Sequence, residues 1–168
     1  MSRPDCLYTQ MGFSQLRALS ASGLCSPFDR KADGLVVGEG AGLAILKRLD
    51  DALRDGDHIY ATIQGIGLSN DIGGSLFGPD SEGQIRAMQK AYADAGWSPA
   101  DIDLVECHGT GTPTGDAVEL QSLRAMWRGI DHPCVIGSVK SNVGHLLTGA
   151  GGAGLIKTLL AMRDGVLP

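Results

Sequence analysis

The sequence predicts an α/β fold with a largely parallel sheet and packed helices, on three observations. Strand-length apolar runs alternate with segments whose apolar residues recur at helical spacing. The helical segments close on glycine, at Gly96 and Gly165. The chain has 168 residues, 43% of them hydrophobic and 20% charged, enough to bury a core.

The first stretch, Met1–Leu24, is weakly patterned and reads as a strand-loop-helix remnant, followed by a turn at Ser26-Pro27-Phe28-Asp29. Leu35–Leu46 reads as a buried strand whose glycines allow close backbone approach. Asp50–Arg54 suggests a short helix stopped by Gly56, and Ile59–Leu68 a strand running into the glycine-rich loop Ser69–Pro79. Ser81-Glu82-Gly83-Gln84 has capping-box spacing, with Ile85, Met88 and Tyr92 on one helical face up to Gly96. Ser98-Pro99-Ala100-Asp101 starts a further helical turn with proline at its first position. Strand Leu104–Cys107 then leads through a loop to a helix from about Asp116 to Arg128, its core face formed by Leu120, Leu123 and Trp127. Strand Cys134–Val139 and a helix over roughly Ala150–Arg163 complete the alternation.

Composition excludes several classes. Twenty-five glycines in 168 residues is roughly 15%, about twice the usual share, but they follow no collagen period. A net charge of −5 without a basic stripe argues against nucleic acid as a partner. No apolar run reaches the roughly 20 residues of a membrane span, and the longest, near Gly149–Met162, carries Lys157. Cys6, Cys25, Cys107 and Cys134 show no C-x-x-C spacing and no signal peptide precedes them, which implies reduced thiols in the cytoplasm.

Two loops that follow strands and open helices hold the chemistry. Glu106 to Asp116 places a histidine at a strand end, then hydroxyls and glycines, then an acidic cap. Ser138 to Gly154 places Lys140 and His145 before a helix whose first turns have almost no side chains. Together they offer two imidazoles, one ammonium and many backbone N–H groups, a set suited to stabilising a developing oxyanion or enolate.

The spacing His108-Gly109-Thr110-Gly111-Thr112 with Gly115-Asp116 and Glu119, then Ser138-x-Lys140-x-Asn142-x-Gly144-His145, resembles the β-ketoacyl synthases of fatty-acid and polyketide synthesis. Phe28-Asp29-x-x-Ala32-Asp33-Gly34 and Gly38-Glu39-Gly40-Ala41-Gly42 resemble another signature of that family, in the family's order. The resemblance implies a thiolase-like fold, here incomplete. Residues 1–57 would be the remnant of the first half and 58–168 most of the second. It also implies an acyltransferase, usually a homodimer, performing decarboxylative Claisen condensation of acyl and malonyl thioesters. The partner is an acyl carrier protein, which carries the phosphopantetheine; no metal or other cofactor is implied. His108 and His145 match the two catalytic histidines, Lys140 the nearby lysine, and Glu119 the acid that pairs with it. Thr110 and Thr112 match threonines that contact the pantetheine arm. The family's nucleophilic cysteine elbow and its terminal glycine-rich segment have no counterpart here, so the chain alone is expected to be inactive.

Other readings compete. His108 alone could be a satisfied histidine at a strand end, Thr110, Thr112 and Asp116 turn and cap residues, and Glu119 part of a capping arrangement. Cys107 precedes His108, but neighbours on a strand face opposite sides, which points the thiol to the core. The other three cysteines read as small buried hydrophobes, and His58 and His132 as exposed. A zinc site from Cys107, His108, His132 and Cys134 lacks ligand spacing. Gly149-x-Gly151-x-x-Gly154 fits the dinucleotide fingerprint, yet no strand ends just before it, and close helix packing explains the small residues. A non-catalytic scaffold of the same fold is the remaining alternative.

Overall fold

The computed structural model describes residues 6–73 and 78–167. Its centre is a β-α-β unit. Strand β1 (Leu104–Glu106) and strand β2 (Val135–Gly137) pair in parallel, with Leu104 opposite Val135 and Glu106 opposite Gly137. Helix α4 (Pro113–Met126) makes the crossover a parallel pair requires, and α3 (Ser81–Ala95) packs on it. The remaining helices are α1 (Leu7–Gln15), α2 (Leu49–Asp55), the single turn α5 (Lys140–Val143) and α6 (Ala150–Asp164). This is the α/β arrangement expected, built on a short sheet.

Local chemistry explains the helix ends. Gly56, Gly96 and Gly165 all close their helices with left-handed backbone. The start of α3 corrects the expected capping box: Asp80, not Ser81, is the cap, its carboxylate accepting from the Glu82 N–H. Ser81 is thereby freed to meet Ser122 of α4, whose fully buried hydroxyl also reaches Gln84 and the Val118 carbonyl. Beside this polar lock, Tyr92 and Trp127 meet edge-to-face at 6.3 Å, and Leu123 is buried. At Ser98–Asp101 a genuine capping box does form, on a 3-10 turn.

Several expected elements are not formed. Among the described residues the first segment opens with helix α1, and its extended part is a single bridge from Leu19 to Leu35; its first five residues, where the expected strand would start, lie outside the described residues, as does the centre of the Ser69–Pro79 loop. The buried strand expected over Leu35–Leu46 holds only at its start. Leu35 is buried and Val37 bridges His145, but Leu43 and Ile45 are more than four-fifths exposed, at 83% and 88%. Ile59–Leu68 also forms no ladder, and Ile63, Ile66 and Leu68 are exposed. An apolar run records a preference for burial, whereas a strand exists only where a neighbour supplies hydrogen bonds. Among the described residues no such neighbour is present. A groove of about 630 Å³ beside residues 40–42, walled by Val143, Leu146 and Ile156, adds to the uncovered apolar surface. The isolated chain is therefore expected to self-associate at micromolar concentration. Light scattering that showed a clean monomer across that range would contradict this.

Candidate active site

The two loops identified in the sequence leave adjacent strands at the same end of the sheet, which is why they meet. The backbone after β1 turns at Gly109 (φ +35°), where a Cβ would lie 2.8 Å from the Ser138 side chain. Two carboxylates of α4 then hold the loop. Glu119 accepts from the N–H groups of His108 (2.6 Å) and Gly109 (2.8 Å). Asp116, buried, accepts from Thr110 (3.1 Å) and Gly111 (3.2 Å) with one oxygen and from Phe28 (2.7 Å) with the other. Asp116 is thus not the helix cap; that position is Thr112, and the acid instead ties three backbone donors from two segments.

From the β2 side, Lys140 is buried and its ammonium donates to the His108 carbonyl, while the Ser138 hydroxyl donates to the Gly109 carbonyl at 2.8 Å. The expected ion pair between Lys140 and Glu119 is not formed; each binds the backbone of the His108 loop from its own side. Burial lowers the Lys140 pKa, and the fields of Glu106 and Glu119 oppose that fall.

His108 and His145 come together. Their ring centroids lie 5.5 Å apart, edge-to-face at 82°. His145 is placed by two backbone contacts with the 36–38 segment, its N–H donating to Val36 O (2.7 Å) and its carbonyl accepting from Gly38 N (3.0 Å). Its Nδ1 accepts from the Leu147 N–H at 2.9 Å, so in the neutral ring the proton sits on Nε2. Burial, then Lys140 and His108, push its pKa down to about 4. His108 is more open to solvent, yet desolvation and Lys140 lower its pKa too. At neutral pH the site therefore presents two uncharged imidazoles beside a fixed cation. Such a group can donate hydrogen bonds to an oxygen that gains negative charge.

Thr110 and Thr112 lie on the same loop, their hydroxyls bonded to each other at 2.9 Å. Cys107 is buried whereas His108 is exposed, and the Cys107 pKa is pushed up to about 12 by burial and by the Glu119 charge. The other cysteines depart from the buried hydrophobes expected: Cys6 is exposed and Cys25 and Cys134 are half-buried. His58 is exposed, but His132 is half-buried and meets Asp103 at 3.1 Å. The zinc alternative's residues do not assemble; among the described residues no metal-holding cluster of His, Cys, Asp or Glu exists. At the dinucleotide-like glycines, β2 is separated from α6 by α5 and a 3-10 turn, not by a strand-to-helix turn. Close packing accounts for Gly154, where a Cβ would sit 2.9 Å from Glu106, but Gly151 faces open space.

Four contributors escaped the sequence reading. Asp116 was legible only as a cap, and Phe28, held at φ +61°, only as part of a turn. Glu106 and Lys157 form a half-buried ion pair 51 residues apart that no spacing rule could reveal.

Comparison with known proteins identifies the family and the fold. The sequence profile of the β-ketoacyl synthase C-terminal domain matches residues 60–168, and that of the N-terminal domain residues 6–52. The chain is 46% identical over 164 residues to the polyketide synthase ThaG of Burkholderia thailandensis, covering 94% of this chain and 3% of that protein. The ketosynthase from module 6 of the bacillaene synthase of Bacillus subtilis 168 superposes with a TM-score of 0.90 at 41% identity, over 96% of this chain and 30% of that one. One chain of the structure of a type II acyl-carrier protein in complex with its ketosynthase bound to the hexaketide superposes with a TM-score of 0.88 at 28% identity, over 95% of this chain and 41% of that one. The chain thus spans a minor part of the proteins it matches. With two paired histidines on loops of a thiolase-like sheet, and both family profiles matched in order, this chain belongs to the β-ketoacyl synthase family.

Proposed function

We propose that this chain forms the histidine-bearing part of a ketosynthase that performs decarboxylative condensation in polyketide synthesis. The observation that carries this reading is the His108–His145 pair, edge-to-face at 5.5 Å with both pKa values lowered. A malonyl thioester whose carbonyl oxygen meets the Nε2–H of His145 loses CO₂. The electron pair of the broken carbon–carbon bond becomes an enolate, its charge held by the neutral imidazole donors, His108 assisting. The enolate carbon then attacks an acyl thioester carbonyl, forming the new carbon–carbon bond and releasing the thiolate that held the acyl group. Lys140 and Glu119 act by holding the backbone of His108, and Thr110 and Thr112 face the pantetheine arm of an acyl carrier protein. The carrier, the thioesters and a homodimeric, cytoplasmic enzyme are parts of this proposal. The polyketide synthases among its relatives favour a polyketide over a fatty-acid product.

On this reading the acyl-bearing thiol is none of Cys107, Cys25 and Cys134, because all three have raised pKa values and a thiolate is the nucleophile. These three thiols should thus remain unacylated by an activated acyl thioester; a stable adduct on Cys107 by mass spectrometry would refute that. The activity itself is tested by exchanging the matched segment of the bacillaene module 6 ketosynthase for these residues. Condensation should persist and fall by at least about 100-fold on His145→Ala, as for loss of one oxyanion donor. A folded chimera without condensation would favour the scaffold reading.

A further inference from the structure

The two catalytic loops diverge just past the last rung of the sheet, and one side chain spans that divergence. Glu106, the last residue of β1, lies two positions before His108. Its Oε1 accepts from the N–H of Val139 at 2.6 Å, immediately before Lys140. Its Oε2 meets the Lys157 ammonium of α6 at 2.8 Å, and both side chains are 15% exposed. Space for this pair is built into the backbone. A Cβ at Gly154 would lie 2.9 Å from the Glu106 stem, and one at Gly137 only 3.3 Å from the Lys157 nitrogen.

An ion pair largely withdrawn from water is a poor device for stability alone, because well-packed apolar residues of the same volume commonly do as well. What it supplies is orientation. The ammonium fixes the carboxylate, and the carboxylate fixes the Val139 amide from which the Lys140 turn begins. Lys140 in turn donates to the His108 carbonyl, which closes a ring of contacts around both loops. We infer that Glu106 and Lys157 are positioning residues that hold the His108 loop and the Lys140–His145 loop in mutual register; this rests on the reading of those loops as one active site. Neither residue touches the reacting atoms.

The test is nuclear magnetic resonance on the chimeric ketosynthase that carries this chain, selectively labelled at its histidines, Val139, Tyr92 and Trp127, without turnover. The unaltered chimera should show nuclear Overhauser contacts between the His108 and His145 rings. In Lys157→Met the carboxylate loses its counter-ion, and the ring contacts should disappear together with the downfield shift of the Val139 amide. The Tyr92–Trp127 contact, on the far α3–α4 interface, should remain. Lys157→Arg, which keeps the charge, and the neutral double variant Glu106→Gln/Lys157→Met, which keeps an oxygen for Val139, should restore the histidine contacts. Unchanged ring contacts in Lys157→Met would overturn the inference. So would parallel loss of the Tyr92–Trp127 contact in every variant, since the pair would then merely support the fold. Because no catalysis is read, this result is independent of whether the chimeric ketosynthase condenses.

Discussion

Asp116→Ala should destabilise the folded chain by about 3–5 kcal/mol, since three backbone N–H groups lose their acceptor together and each buried orphan costs roughly 1–3 kcal/mol. Those donors belong to Thr110, Gly111 and Phe28, so the change unties the His108 loop from the 26–29 turn. Phe28 has most to lose. Its positive φ of 61° is unfavourable for a bulky side chain and persists only while its surroundings hold it. Asp116→Asn keeps one oxygen and should lose about half as much. Urea unfolding followed by tryptophan fluorescence measures both; an alanine variant within about 1 kcal/mol of the parent would remove Asp116 from its central place.

His145 should titrate near pH 4, well below an ordinary histidine, because burial, Lys140 and His108 all oppose its charge. The sign of the stability effect follows from linkage. Between about pH 6.5 and the native value, the unfolded chain binds the proton and the folded chain does not. Stability is therefore fully present above about pH 6.5 and declines as the pH falls toward 4, by a total on the order of 1–2 kcal/mol after screening. Below that, protonation of Nδ1 also removes the acceptor for the Leu147 N–H. The His108 pKa is lowered as well and adds to the same trend. Carbon-13 titration of the imidazoles reads this directly, and a His145 midpoint at or above 6.5 would contradict the site's electrostatics.

How far these features were legible depended on whether they are local. The end of α6 at Gly165, the proline-led helical turn at Ser98–Asp101 and the burial of Cys107 each depend on a few consecutive residues, and each appeared where the pattern placed it. The cap of α3 slipped by one residue because Asp80 and Ser81 are both competent caps, and the contact of Ser81 with Ser122 decided between them. The strands over residues 35–46 and 59–68 failed for a different reason, since apolar content cannot specify the neighbour that completes a ladder. For the site, motif spacing named His108, Lys140 and His145, but not that Lys140 and Glu119 hold opposite sides of one loop instead of each other.

By itself, then, the sequence determined the alternating α/β order, the two loops that carry the histidines, and the family to which they belong. These follow from periodicity and from short runs in which residue type and spacing suffice. Only the tertiary structure decided that the imidazoles stand 5.5 Å apart, that His145 carries its proton on Nε2, and that Glu106 reaches Lys157 across 51 residues. Those depend on where the parallel pairing of β1 and β2 sets down segments far apart in the chain. Burial and the nearby charges that shift the pKa values arise only once that pairing has formed.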